Sequence, residues 1–236
     1  MAKRPIFLPT PEGSTFVSTR FIEFEWFPGM ALSQSQKSIA SLHDAARKEV
    51  GVNEILEISS KSMQETGTKL SAFNLKIQTV KYKYEFSVEC AYQASKVFER
   101  GGPFVDLLGG TSLEAKKDPR LTSSGRLTNF IFCGVEWELE PRTAFYDWLY
   151  MNALHKKHDL AAEVLRNNAF TDIAFNPERS INCQAYAAAL YVSLHERGML
   201  TILKDQEKYL EAVTSMDVSN AHENTLSQGS IRFSEL

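Results

Sequence analysis

The sequence predicts an α+β fold that is predominantly α-helical, with a small β-sheet, and three observations carry that prediction. Apolar and polar residues alternate with period two only in short stretches of the N-terminal third. From Ser87 onward, helix caps and 3.6-residue periodicity dominate. A hydrophobic content of 43% over 236 residues is enough to bury one sizeable core. The expected organisation is an N-terminal strand–helix extension packed on the core (1–53), a core (54–198), and a C-terminal helix with a polar tail (199–236).

Each element has its own signal. The Pro-rich first ten residues read as an arm. FIEFEWF, at 21–27, puts Ile22, Phe24 and Trp26 on one face and Glu23 and Glu25 on the other, the pattern of a half-buried strand that Pro28-Gly29 ends. A helix follows from Ser33, with Ser33 and Gln36 spaced as a capping box and Gly51 as the stop. EILEIS (54–59) and FNLKIQTVKY (73–82) read as a strand pair around a polar stretch. Ser87 can cap a helix that Gly101-Gly102 closes, and Thr111 with Glu114 makes a capping box for TSLEAKK. RTAFYDWLYMNALHKK and DLAAEVLRN form a helical pair. An Ala-rich helix, CQAYAAALYVSLHERG, and a last one, LKDQEKYLEAV, complete the core before a polar tail begins near Ser215.

Composition excludes several function classes. A net charge of −3 gives no general basic surface for coating a duplex, so any nucleic-acid contact is local. Cys90, Cys133 and Cys183 are odd in number and widely spaced, which suits neither a disulfide framework nor a zinc knuckle and fits a reduced cytoplasm. The sequence has no apolar run of the roughly 18 residues a membrane span needs, and its opening lacks the signature of a secretory signal. His155 and His158 have helical spacing but lack a clear third ligand, so no metal is expected, and no cofactor either. Trp26, Trp137 and Trp148 sit among apolar neighbours and read as core.

FSVECAYQASKVFERGG, at 86–102, raises a sharper question. If it is one helix, Glu89, Gln93 and Lys96 fall at i, i+4 and i+7 and share a stripe. Glu89 lies in the first turn, where unpaired N–H groups and the helix dipole favour a carboxylate. On spacing alone such a stripe is a solvated face.

The string SVECAYQASKVF resembles the signature of the NADAR domain, the YbiA-like N-glycosidase family. The matching positions are Ser87, Glu89, Tyr92, Gln93, Ala94 and Lys96, with Phe98 one place later than the family's aromatic. KLSAFNLKI (69–77) is similar to the family's Ser-Asn-Phe segment, with Ala72 in place of Asn. SLEAKKDPR (112–120) is similar to its Glu-Ala-Lys-x-x-Gly-Arg element through Glu114, Ala115, Lys116 and Arg120, with Pro119 in place of Gly. The family's Trp before the Ala-Leu helix lacks a clear counterpart, and FTDIAFNPERSINCQ replaces its Asp-x-x-Trp-Gly segment. That replacement, with the block FEWFPGMALSQSQKSIASLH, resembles the branch that accompanies DarT-type DNA ADP-ribosyltransferase toxins.

The resemblance implies a single YbiA-like (NADAR) domain whose catalytic core is 54–198. It implies an antitoxin that hydrolyses the N-glycosidic bond between ADP-ribose and guanine in DNA and acts beside a DarT-type toxin. Two other readings stay open: a non-catalytic module that neutralises the toxin by binding it, and an N-glycosidase of ribosylated riboflavin precursors. The chemistry needs stabilisation of an oxocarbenium-like centre, an activated nucleophile and help for the departing nitrogen. Glu89 is the expected base or cation stabiliser, with Asp172 or Glu178 as the second acid. Lys96 either hydrogen-bonds the substrate or, desolvated, attacks the anomeric carbon to form a Schiff base. Ser71, Phe73, Tyr92, Gln93 and Asn182 are the expected substrate contacts. The diphosphate is expected on the helix start at Gly110 and Thr111, with Lys116 and Arg120 nearby.

Overall fold

Strands from distant parts of the sequence build the main sheet, and this is what brings the site together. In the computed structural model, which describes residues 1–79 and 83–217, β1 (Ala2–Pro9) and β2 (Val17–Phe24) form an antiparallel hairpin registered from Ala2↔Phe24 to Pro9↔Val17. Helix α1 (Leu32–Val50) packs its Ile39, Leu42 and Ala46 face against Ile6, Ile22 and Phe24 of that hairpin. Next come β3 (Ile55–Glu57), α2 (Glu65–Lys69), β4 (Lys76–Gln78), β5 (Glu85–Ser87), α3 (Val88–Ala94) and β6 (Lys96–Phe98). A 3₁₀ turn over Val105–Gly109 leads into α4 (Ser112–Lys117), α5 (Arg120–Ser123), and the hairpin of β7 (Leu127–Phe132) and β8 (Val135–Trp137). The chain finishes with α6 (Ala144–His155), α7 (His158–Val164), β9 (Ala169–Thr171), α8 (Gln184–Glu196) and α9 (Gln206–Thr214).

The result is a single α+β domain. Its main sheet has the order β2-β1-β9-β3, with β9 parallel to β3 and antiparallel to β1; β4-β5 and β6-β7-β8 form two smaller sheets. Helix α8 is the central element. Its Ala185, Ala187, Ala188 and Ala189 are wholly buried, and side chains this small let α6 and the main sheet approach it from different sides. Among the described residues, no helix is long and apolar enough to cross a membrane.

Several local expectations are met. Ser87 caps α3 by accepting from the Cys90 amide at 3.0 Å, Thr111 and Glu114 form the capping box of α4, and Gly51 ends α1 with φ 76°. Others are corrected. The first ten residues are no arm: β1 lies inside the main sheet, so part of the 1–53 segment completes the sheet that 54–198 begins. Pro withdraws a ladder donor, but β1 has a single registered pair with β9, Phe7↔Phe170, so most of that flank needs no amide. The Ser33–Gln36 capping box is absent, because α1 starts one residue earlier with Ala31 at the N-cap and no side-chain cap. The strand at 21–27 ends at Phe24, leaving Trp26 40% exposed beyond it.

The expected strand pair separates, β3 joining β9 and β4 joining β5, while the polar stretch between them holds α2. The remainder of the 73–82 stretch, from residue 80, and the tail beyond residue 217 lie outside the described residues. The largest change is in the 86–102 segment. Its helix stops at Ala94, and Lys96–Phe98 becomes a strand registered on β7 through Lys96↔Phe130. Gly101-Gly102 therefore closes a strand turn, not a helix. The Phe98 amide donates to Gly101 O at 2.7 Å, and a Cβ on Gly102 would collide with the Lys96 carbonyl oxygen.

Candidate active site

Where α3, β3, β9 and the start of α8 converge, the surface opens into a cleft of about 590 Å³, within the roughly 300–1,000 Å³ usual for small-molecule sites. Of the residues expected from the sequence, Ser71, Phe73, Glu89, Tyr92, Gln93, Lys96, Lys116, Asp172 and Asn182 line it.

The start of α3 is fixed by a polar relay. Ser112 Oγ of α4 lies 2.7 Å from Ser87 Oγ and 2.8 Å from the Phe73 carbonyl oxygen, which locks the helix start to the 71–73 loop. The Glu89 amide donates to Ala72 O at 2.9 Å. The Glu89 side chain is only 6% exposed, so it is no solvated stripe. Its Oε1 accepts from Gln93 Nε2 at 2.9 Å, and its Oε2 has no partner among the described residues. Gln93 is equally buried, and its own Oε1 is unpaired.

Lys96 reaches the same place by another route. It has left α3 for β6, yet its ammonium turns back to sit 4.7 Å above the centre of the Tyr92 ring. Desolvation lowers its pKa to about 8, with Glu89 acting in the opposite direction and Lys116 adding to the fall. Tyr92 completes the wall, its hydroxyl accepting from Asn182 Nδ2 at 2.6 Å and its ring meeting Tyr146 edge-on at 5.2 Å. Burial pushes the Tyr92 phenol upward, so it stays neutral.

The facing acid is Asp172, immediately after β9. Its Oδ1 accepts from the Ala174 amide and its Oδ2 from Gln184 Nε2, both at 3.0 Å. Burial, and then the charge of Glu57, raise its pKa to about 7. Glu57 of β3 is itself raised by burial, against three donors: Ile173 N at 2.8 Å, Ser59 Oγ at 2.7 Å and Thr171 Oγ1 at 2.6 Å. Thr171 spends its only proton on Glu57, so it accepts from His43 Nε2 of α1, 2.8 Å away. That assigns the proton of a neutral His43 to Nε2, in keeping with a pKa lowered by burial to about 4.

Four expected residues lie elsewhere. Glu178 is exposed and does not line the cleft, so Asp172 is the carboxylate the fold brings there with Glu89. Arg120 is held by Asp106 at 2.7 Å and Asp118 at 2.9 Å, and stacks on Phe104. The Thr111 amide and hydroxyl both donate to Glu114 Oε2 at 2.8 Å, so the α4 start is already occupied by a carboxylate. Gly110 turns its carbonyl to the Cys90 thiol at 3.4 Å. Of the expected diphosphate seat, Lys116 alone reaches the cleft, stacked 5.1 Å over Phe73.

Other lining residues escape a sequence reading: Ser59, Ser60, Tyr146, Arg179 and Gln184. Gln184 is a hub, its Oε1 accepting from Ala72 N at 2.7 Å while its Nε2 donates to Ile58 O at 2.6 Å as well as to Asp172. Behind the cleft, Glu57 did leave a signal, a lone acid inside the apolar run ILEI at 55–58. His43 left none, since a histidine in an amphipathic helix is ordinary.

The arrangement offers two buried carboxylates of different character, a low-pKa amine and two further cations around one cavity. No curated protein sequence matches the chain. A family model described as the DarT1-associated NADAR antitoxin matches residues 2–223, strands β1 and β2 and helix α9 included, and the chain belongs to that family of DarT-associated antitoxins.

Proposed function

We propose that this antitoxin is an enzyme, a glycohydrolase that cleaves the N-glycosidic bond between ADP-ribose and guanine in DNA and so reverses the modification made by its DarT-type toxin. The observation that carries this reading is the convergence of Glu89, Asp172 and Lys96 on one cleft. A module that only held the toxin would have no need of a buried carboxylate, a carboxyl raised to about 7 and an amine lowered to about 8 around one cavity.

In this reading Glu89 Oε2 faces the positive charge that develops at the anomeric carbon, and Asp172, which exchanges a proton near neutrality, serves the water or the leaving nitrogen. Lys116 and Arg179 take the diphosphate, and Ser71, Phe73, Tyr92, Gln93 and Asn182 shape the ribose pocket. The deciding experiment mixes the protein at substoichiometric concentration with an oligonucleotide carrying ADP-ribosyl-guanine and follows free ADP-ribose. Multiple turnovers are expected. No release at stoichiometric protein, with toxin binding intact, leaves a holding antitoxin instead; release only from ribosylated pyrimidine metabolites moves the substrate class.

A further inference from the structure

A second cleft, of about 310 Å³, opens on the far side of the Tyr92 wall, and the reaction proposed above assigns nothing to it. It shares Tyr92, Tyr146, Ile181 and Asn182 with the first, so the Tyr92–Asn182 bridge divides two halves of one groove. The two halves differ in charge. The first sets Lys96, Lys116 and Arg179 beside the carboxyls of Glu89 and Asp172; the second carries Glu138, Glu140 and one arginine, Arg142. Arg142 is already committed, its backbone amide and Nε donating to the two oxygens of Glu140 at 3.0 and 3.2 Å. Glu138 makes no hydrogen bond or ion pair among the described residues.

Apolar surface fills the rest. Leu139 is 37% and Ile181 47% exposed at the rim, above a largely buried floor to which Phe130 and Phe145 contribute, 7% and 2% exposed. Exposed aliphatic side chains from two separate loops flanking an aromatic floor are what a flat ring would cover. An occupant with phosphate charge would meet carboxylates here, whereas one with N–H donors would find an acceptor.

We infer that the second cleft seats the DNA guanine from which ADP-ribose is cleaved, its ring between Leu139 and Ile181 and its N–H edge donating to Glu138. The inference rests on the proposed glycohydrolase reading. The bond to be cut joins two bulky groups, so a cleft holding ADP-ribose requires an adjacent seat for the base, and the two halves meet at Tyr92. Guanine suits a carboxylate because N1–H and the 2-amino group lie side by side, so that with ADP-ribose on one of these nitrogens the other still donates; the corresponding edge of adenine alternates donor and acceptor.

The test compares wild type with Glu138→Gln and Leu139→Ala, using ADP-ribosyl-guanine oligonucleotide for kinetics and free ADP-ribose for calorimetry. Glu138→Gln should lower kcat/KM about tenfold, and Leu139→Ala should lower it by a smaller factor, while the Kd for ADP-ribose stays within about twofold. Unchanged kcat/KM in both variants of an active protein overturns the inference and leaves the glycohydrolase standing. Equal loss of ADP-ribose affinity also overturns it, because Glu138 would then belong to the first cleft. If wild type neither turns over nor binds ADP-ribose, the enzymatic reading falls by itself, and guanosine at millimolar concentration decides the cleft. Methyl shifts of Leu139 and Ile181 that guanosine induces in wild type but not in Glu138→Gln uphold it; an unmoved spectrum ends it.

Discussion

At the residue scale, Glu89 and Lys96 carry the sharpest expectations. Glu89 is buried against Gln93 with one oxygen unpaired, and Gln at that position keeps the shape while removing the charge. Glu89→Gln should reduce kcat by roughly a hundredfold or more with little change in ADP-ribose affinity, as loss of a charge used in the transition state does. Wild-type kcat in a folded variant would remove Glu89 from the chemistry. For Lys96, desolvation lowers the pKa to about 8, so the nucleophilic amine fraction grows as pH rises through that value. If the amine attacks the anomeric carbon, displaces the guanine nitrogen and forms a Schiff base as the ribose ring opens, borohydride should trap a covalent adduct whose yield climbs between about pH 7 and 9 and vanishes in Lys96→Arg. Turnover without any trapped adduct assigns Lys96 to hydrogen bonding. The sequence made Glu89 and Lys96 neighbours for the wrong reason, since they meet by a turn into β6 and not along one helix.

At the element scale, what was legible was local, and what was hidden was pairing over long separations. Caps such as Ser87 and the Thr111–Glu114 box are decided within four residues and could be read directly. β1 and β9 were not, because a short strand gains its stability from neighbours more than 100 residues away, as in Phe7↔Phe170. The same non-local sheet assembles the support behind Asp172: Thr171 of β9 bridges Glu57 of β3 and His43 of α1. Thr171→Val keeps the volume but orphans a carboxylate oxygen and an imidazole N–H, each costing about 1–3 kcal/mol. Denaturant unfolding should show that loss. A second readout separates wiring from packing. With one donor fewer, Glu57 is more readily protonated, its charge on Asp172 weakens, and the pKa of Asp172, near 7 in the wild type, should fall. The limb of the kcat profile set by Asp172 should therefore move to lower pH. A destabilised variant with an unmoved profile would make the relay purely structural.

At the scale of the whole molecule, charge decides how a DNA substrate is held. The net charge of −3 gives no general excess of basic charge, and two of the arginines that could have met a backbone are already spent. Arg120 is clamped between Asp106 and Asp118, and Arg126 pairs with Glu99 at 2.7 Å. The cations that do converge, Lys96, Lys116 and Arg179, line the first cleft, where the diphosphate of the proposed substrate would supply their counter-charge. Affinity for a modified strand should then come from the ADP-ribosyl group and the adjoining base, with few strand phosphates neutralised. Each phosphate neutralised on single-stranded DNA contributes a slope of about −0.7 to the plot of log affinity against log salt. Binding of ADP-ribosylated oligonucleotide to Glu89→Gln, which holds substrate without consuming it, should weaken only gently between 50 and 200 mM salt, as expected for about two or three phosphate contacts. Lengthening the oligonucleotide beyond the bases next to the modified guanine should leave the slope unchanged. A slope equivalent to about six or more released counterions, growing with strand length, would mean that a basic track lies outside the two clefts. The antitoxin would then recognise the strand before it recognises the modification, the reverse of what the charge distribution predicts.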